Sequence, residues 1–221
     1  MNILVTGANR GIGLGFVRHY LQRGDEVWAC YRMDAGALSE LACERLHLLR
    51  WDIGEDQGPD DALPEQIDIL INNAGIYGPD KQGQSLDQVT SAAMLEVFNV
   101  DCVGALRVVQ RLYRRMPTGA LIANIGSKMG SVTDNNSGGT YAYRAAKAAL
   151  VIVSRSMAVD LATRDVHVLT LHPGWVSTDM TGHGGLIDVD TSVAGMTQVM
   201  ARARDYPSGS FVAVDGSIVP F

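Results

Sequence analysis

Short apolar runs closed by turn residues alternate along this chain with longer stretches of helical periodicity. Residues 2–6 are an apolar run ended by Gly7, which predicts a buried strand. Residues 11–23 carry apolar side chains at Ile12, Phe16, Val17, Tyr20 and Leu21, the spacing of a helix, and stop at Gly24. Further strands are predicted over 26–31, 46–51, 68–72, 120–125, 166–171 and 210–214. Further helices are predicted over 85–116, ended by Pro117, and over 141–163 and 191–203. Apolar strands each followed by a helix indicate a parallel sheet covered on both faces. Right-handed crossovers make it doubly wound, with any ligand at the carboxyl ends of the strands. No Pro-, Ser- or charge-rich linker interrupts the series, so the expectation is an α/β fold over residues 1–221. It has one domain, a doubly wound parallel sheet of about seven strands and helices on both faces.

Composition narrows the function. Hydrophobic residues make up 47% of the 221 and charged residues 19%, which excludes a disordered chain. The net charge of −6 argues against nucleic-acid or anionic-membrane binding, which calls for a basic surface. No apolar run is long enough to span a bilayer. Cys30, Cys43 and Cys102 are odd in number and widely spaced, as suits a reducing, cytoplasmic compartment. The five histidines lack metal-ligand spacing, so no metal is expected. Glycine is in excess, at 24 residues, which implies many tight turns and close backbone approaches.

The first strand–helix junction reads Thr6-Gly7-Ala8-Asn9-Arg10-Gly11-Ile12-Gly13. Glycines there let a pyrophosphate approach a helix N-terminus, whose free N–H groups favour anions. The spacing G-x-x-x-G-x-G differs from the common dinucleotide fingerprint, and a structural turn is the competing reading. A site for NAD places an acid at the end of the second strand to bind the ribose 2′-hydroxyl. Here that strand ends Ala29-Cys30-Tyr31-Arg32, with no acid before Asp34. Arg10 and Arg32 can fork onto a 2′-phosphate, so NADP(H) is favoured over NAD(H). Asp52, after the third strand, suits an adenine amino group, or is an ordinary loop acid.

Tyr143 and Lys147, in YRAAK, stand at i and i+4 of a predicted helix and share one face. An ammonium beside a phenol stabilises phenolate, as a neutral-pH proton donor or acceptor requires. Tyr141 points elsewhere. Such a pair is common by chance, so the residues around it matter. Ser127 follows the fifth strand, where a ligand crevice opens, and its hydroxyl can bond a substrate oxygen. Ser131, farther into the loop, is the competitor. Asn99 lies within the long helix 85–116, where an amide either tethers a water near the site or satisfies a helix flank.

Together TGANRGIG (6–13), NNAG (72–75), Asn99, Ser127, YRAAK (143–147) and PGWVSTDM (173–180) resemble the short-chain dehydrogenase/reductase family, most of all its C-factor-like, carbonyl-reductase-related branch. The resemblance spans nearly the whole chain and implies a Rossmann-like domain. By it, Tyr143 is the general acid in carbonyl reduction and the base in alcohol oxidation. Lys147 lowers its pKa and holds the nicotinamide ribose, Ser127 orients the substrate oxygen, and Asn99 keeps a relay water. Gly7, Asn9, Arg10, Gly11 and Ile12 lie along the cofactor diphosphate and adenosine, with Arg32 beside them. Asp52 and Ile53 contact adenine, while Asn73, Ala74 and Gly75 line the ribose. Pro173, Gly174, Val176 and Thr178 wrap the nicotinamide. Ser127 and Tyr143 stand farther apart than is usual in the family, across the polar insert 134–139, and the segment 181–190 leaves little lid.

The expected function is NADP(H)-dependent interconversion of a small-molecule carbonyl compound and its alcohol. A cofactor-binding regulatory or signalling protein with marginal catalysis is the alternative. An isomerase or epimerase is disfavoured, since no length remains for a sugar-nucleotide domain. Trp175 and Met180 either line a substrate pocket or simply pack. His172 reads as structural. The helix 141–163 is apolar on more than one side, which predicts a homodimer or homotetramer.

Overall fold

In the computed structural model, which describes residues 1–41, 43–59 and 62–221, seven strands form one parallel sheet. The strands are β1 (Asn2–Val5), β2 (Glu26–Tyr31), β3 (Leu46–Arg50), β4 (Ile69–Asn72), β5 (Leu121–Ile125), β6 (His167–His172) and β7 (Ser210–Ala213), in the order β3-β2-β1-β4-β5-β6-β7. The order reverses between β1 and β4, so a crevice opens there above the carboxyl ends.

Period-two alternation decides which side chain enters which layer. Ile3 and Val5 of β1 face one side, with Ala123 and Ile125 of β5 and Leu169 and Leu171 of β6. Helices α1 (Gly11–Gln22) and α5 (Val189–Ala201) cover that side through Phe16, Val17, Val193 and Met196. Leu4, Ile122 and Val168 face the other side, under α3 (Gly104–Leu112) and α4 (Tyr141–Asp160). Every strand contributes to both layers, so its apolar run is nearly continuous. No described helix is long and apolar enough to cross a membrane.

The largest departure from the sequence expectation concerns the helix predicted over 85–116. It starts only at α2 (Ser91–Phe98), where the Thr90 side chain accepts from the N–H of Ala93. Residues Asn99–Val103 then form a π-turn before α3, and a 3₁₀ turn, Tyr113–Arg115, follows. Such a widened turn re-aims the side chains it carries and is frequent at functional sites. Gly104 lies where a β-carbon would meet Ile53 at 2.8 Å, so α3 can settle close to the loop after β3. The predicted helices 141–163 and 191–203 are shifted or trimmed at their ends: α4 stops at Asp160, and α5 starts at Val189, capped by Asp188.

Candidate active site

The loop between β1 and α1 sits against the loop after β4. Gly7 has φ +60°, and a β-carbon there would lie 2.7 Å from Ala74 Cα. At Gly13 one would lie 2.2 Å from the Gly7 carbonyl oxygen. These close approaches explain the glycines without any ligand, and polar contacts lock the two loops. Asn73 Nδ2 donates to the Thr6 and Gly7 carbonyls, both at 3.0 Å, while Thr6 Oγ1 accepts from the N–H groups of Asn73 and Ala74. The N-cap of α1, Arg10, makes no side-chain cap bond, and the helix begins at the cleft, where the amides of a first turn favour an anion.

A cleft of about 760 Å³ runs from this loop across the carboxyl ends of the strands. It is lined at one end by Gly7, Asn9, Arg10, Gly11, Ile12, Arg32, Asp52 and Ile53, and in the middle by Asn73, Ala74 and Gly75. At the far end stand Ser127, Tyr143, Lys147, Pro173, Gly174, Val176 and Thr178. One cleft therefore gathers all the residues that the sequence pointed to, save Asn99. Arg32 is exposed at its rim, and Arg10 lies 3.3 Å from Asp179 across the opening, both side chains solvated. Asp52 Oδ1 accepts from the Gly54 N–H at 2.9 Å.

Asn99 turns away. Its Nδ2 donates to the Gly54 carbonyl at 2.8 Å, and its Oδ1 accepts from Arg107 at 2.8 Å. The amide is spent on the loop after β3 and does not line the cleft, because the π-turn presents a different face inward. The π-turn residue that lines the cleft is Val100; next to it Asp101, 2% exposed and buried on Lys147, is a residue that sequence reasoning missed. Asp101 Oδ1 accepts from the Ile76 N–H at 2.7 Å, and Oδ2 lies 3.0 Å from Lys147 Nζ.

Tyr143 and Lys147 stand on one face of α4, with Nζ 5.6 Å from the phenol ring centroid. Nζ also donates to the Ile125 carbonyl at 3.1 Å, which ties the lysine to the end of β5. Ser127 is within hydrogen-bonding reach of the phenol, and its Oγ accepts from the Met129 N–H at 3.2 Å. Ser131 is removed from contention: buried, its hydroxyl donates to the Pro220 carbonyl. The turn carrying Ser127 is pressed on α4 through Gly130, where a β-carbon would lie 2.6 Å from the Lys147 carbonyl carbon.

Burial pushes the Tyr143 phenol above the usual tyrosine value, with Asp101 adding to the rise, while the Lys147 ammonium and Ser127 work against it. Burial works to lower the Lys147 pKa, but Asp101 first, with Tyr143 and Cys102, together outweigh it, and the net shift is upward. Thus the lysine stays cationic and the phenol keeps its proton at neutral pH. The expected lowering of the phenol by its lysine is present, but burial exceeds it.

Gln84, another residue missed, fixes the start of α4. It is 0% exposed; its Nε2 donates to the Tyr77 and Pro79 carbonyls at 2.8 and 2.7 Å, and its Oε1 accepts from the Tyr143 N–H at 3.0 Å. The local N-cap, Thr140, is left-handed and offers no side-chain bond, so a remote glutamine serves this helix end. The polar insert forms the loop before it, with Gly138, Gly139 and Thr140 all at positive φ.

Around the phenol, the tilted ring of Tyr77 lies 5.1 Å from that of Tyr143, and Met129, Trp175 and Met180 complete the wall. Trp175 and Met180 therefore line the cleft and are largely exposed. The short segment beyond is a closed turn: Thr178 and Thr181 cap each other, and Leu186 N–H donates to the Trp175 carbonyl at 2.7 Å. His172, at the end of β6, accepts from the Lys128 N–H through Nδ1, and burial with Lys128 lowers its pKa to about 4. It is a neutral structural ring.

The profile of the short chain dehydrogenase family matches residues 1–185. Over 157 residues the chain is 40% identical to the C-signal protein of Myxococcus xanthus, covering 70% of this chain and 93% of that one. A short-chain dehydrogenase/reductase of Burkholderia multivorans, solved with bound NADP, superimposes with a TM-score of 0.91 at 30% identity, covering 100% of this chain and 99% of that one. The carbonyl reductase Sniffer of D. melanogaster does so with a TM-score of 0.90 at 30% identity, over 100% and 99%. With the match extending over most of its length, the chain belongs to the short-chain dehydrogenase/reductase family of oxidoreductases.

Proposed function

We propose that this protein is an NADP(H)-dependent reductase of small carbonyl compounds, running in reverse as an alcohol dehydrogenase. One observation carries the reading: a phenol held between a buried ammonium and a serine hydroxyl, at the end of a cleft whose other end is a glycine loop and two arginines. Bound NADPH supplies the hydride. The chain's residues do the rest.

The Gly7–Gly13 loop and the open start of α1 suit a diphosphate, since glycine leaves room for it and the helix end favours an anion. Arg10 and Arg32 line the adenosine end, beside Asp34 and Asp179, and can fork onto a 2′-phosphate; NADP in the Burkholderia relative supports the choice. Lys147 orients the ribose on the nicotinamide side. Ser127 donates to the substrate carbonyl oxygen, and Tyr143 delivers the proton as the oxygen becomes alkoxide. A phenol that keeps its proton at neutral pH is in the form that donates to a carbonyl oxygen. The wall of Tyr77, Met129, Trp175 and Met180 is aromatic and apolar, so uncharged apolar carbonyl compounds fit it.

Leu95 and Phe98 of α2 and Ile152 and Val159 of α4 are exposed apolar side chains. They support a homodimer or homotetramer, and a monomeric mass by sedimentation at micromolar concentration overturns it.

A screen of NADPH oxidation over aldehydes, ketones, quinones and diketones, repeated with NADH, tests the reading. Turnover with at least one carbonyl class and a preference for NADPH is expected; measurable NADPH binding with no turnover overturns it. The second reading, a cofactor-binding signalling protein, is favoured by the similarity to C-signal. It prevails if Tyr143→Phe abolishes turnover and leaves the biological role intact.

A further inference from the structure

The π-turn Asn99–Val103 puts a carboxylate where the helix would otherwise run past the site. The Asp101 side chain is fully buried, and its partner Lys147 is nearly so. Two elements converge on it: the loop after β4, through the Ile76 N–H and the bare backbone of Gly75, and α4, through Lys147. At Gly75 a β-carbon would lie 3.1 Å from Oδ2 and 3.2 Å from Oδ1, so the glycine leaves room for the carboxylate. Nζ is thereby held at three points: Asp101 Oδ2 at 3.0 Å, the Ile125 carbonyl at 3.1 Å, and 5.6 Å from the Tyr143 ring centroid.

We infer that Asp101 is a positioning residue of this site: it anchors the Lys147 ammonium behind the phenol and sets how much of that positive charge Tyr143 feels. The inference rests on the reading of Tyr143 as the proton donor given above. A lysine without a counter-ion presents its full charge to the phenol; one paired with a carboxylate presents much less, because the two fields oppose each other in a medium of low dielectric. Asp101 thus keeps the phenol protonated and the site biased towards donating.

The groups that face the phenol are few. They are Lys147 on its own helix, Asp101 on the π-turn, Tyr77 from the loop after β4, and Ser127 from the turn after β5; Cys102 faces the lysine. Asp101 is the one carboxylate among them. Removing the Asp101 charge therefore has a definite sign: phenolate becomes easier to form.

The test is the titration of Tyr143 itself, followed by NMR in protein labelled at tyrosine Cζ. Its resonance is identified among the seven tyrosines by its loss in Tyr143→Phe. In Asp101→Asn the midpoint is expected to fall by about one pH unit or more, the usual effect of an ionic neighbour at this range. The alkaline limb of the carbonyl-reduction profile should fall with it. Asp101→Ser deletes the same charge in a smaller side chain and serves if the asparagine variant does not fold. A midpoint that stays within a few tenths of the wild type, or rises, overturns the inference. The readout does not need turnover, so a wild type that binds NADPH yet reduces no carbonyl overturns the proton-donor reading, while the titration still decides the role of Asp101.

Discussion

The backbone N–H of Tyr143 donates to the Oε1 of Gln84 at 3.0 Å, across 59 residues of sequence. The same side chain holds the Tyr77 and Pro79 carbonyls, so one buried amide sets both the helix that carries the phenol and the loop that packs on its ring. Gln84→Ala removes all of these bonds and leaves buried groups unpaired. Melting temperature should fall, and kcat should drop by about ten- to a hundredfold, the scale of a small displacement of a reacting group. Steady-state kinetics alongside thermal unfolding check this. A variant with full kcat would show that the phenol is placed without it.

Cofactor preference hangs on two exposed arginines. Replacing Arg10 and Arg32 together by alanine should reduce kcat/KM for NADPH by about ten- to a hundredfold, the worth of charge-assisted bonds to a phosphate. NADH should change little, because it lacks that phosphate. Asp179 lies 3.3 Å from Arg10, and an exposed pair of this kind is weak, so it yields readily to a phosphate. Kinetics with both cofactors decide the matter; an equal loss for NADPH and NADH would contradict the assignment.

His172 predicts how the fold responds to acid. Its folded pKa, about 4, lies below the unfolded value of 6.5. The neutral ring's contribution is therefore complete above pH 6.5 and is lost as pH falls towards 4. By linkage the loss reaches about 3 kcal/mol. Denaturant unfolding between pH 7 and 4.5 should show a shallower decline for His172→Gln than for the wild type. Parallel declines would contradict it.

Strands and phosphate loop were legible because their signals are local. The run Ile3-Leu4-Val5 closed by glycine has no other comfortable place than the middle of a parallel sheet, and Gly7 and Gly13 sit where no side chain fits. Tyr143 and Lys147 were legible for a related reason, since i and i+4 on a helix meet whatever surrounds them. Asp101 and Asn99 were not. Two residues apart, they exchange places at the site through a π-turn, and helical periodicity carries no sign of one extra residue in a turn. A buried acid inside an apolar helix, with a lysine destined for the same cavity, was the signal available. Gln84 lay just before the helix predicted over 85–116, with no sign of a partner, and its role depends on Thr140 failing to cap α4, a matter of backbone conformation at Gly138, Gly139 and Thr140.

The central claim is that the Tyr143 phenol gives its proton to a carbonyl oxygen while the cleft holds NADPH. Tyr143→Phe keeps the ring and removes only the hydroxyl, so NADPH oxidation by the variant, measured beside NADPH binding followed by fluorescence, tests it most directly. The predicted result is unchanged NADPH binding with turnover lower by about 10²–10⁴-fold, the range of general acid catalysis. Carbonyl reduction at the wild-type rate by Tyr143→Phe would contradict it.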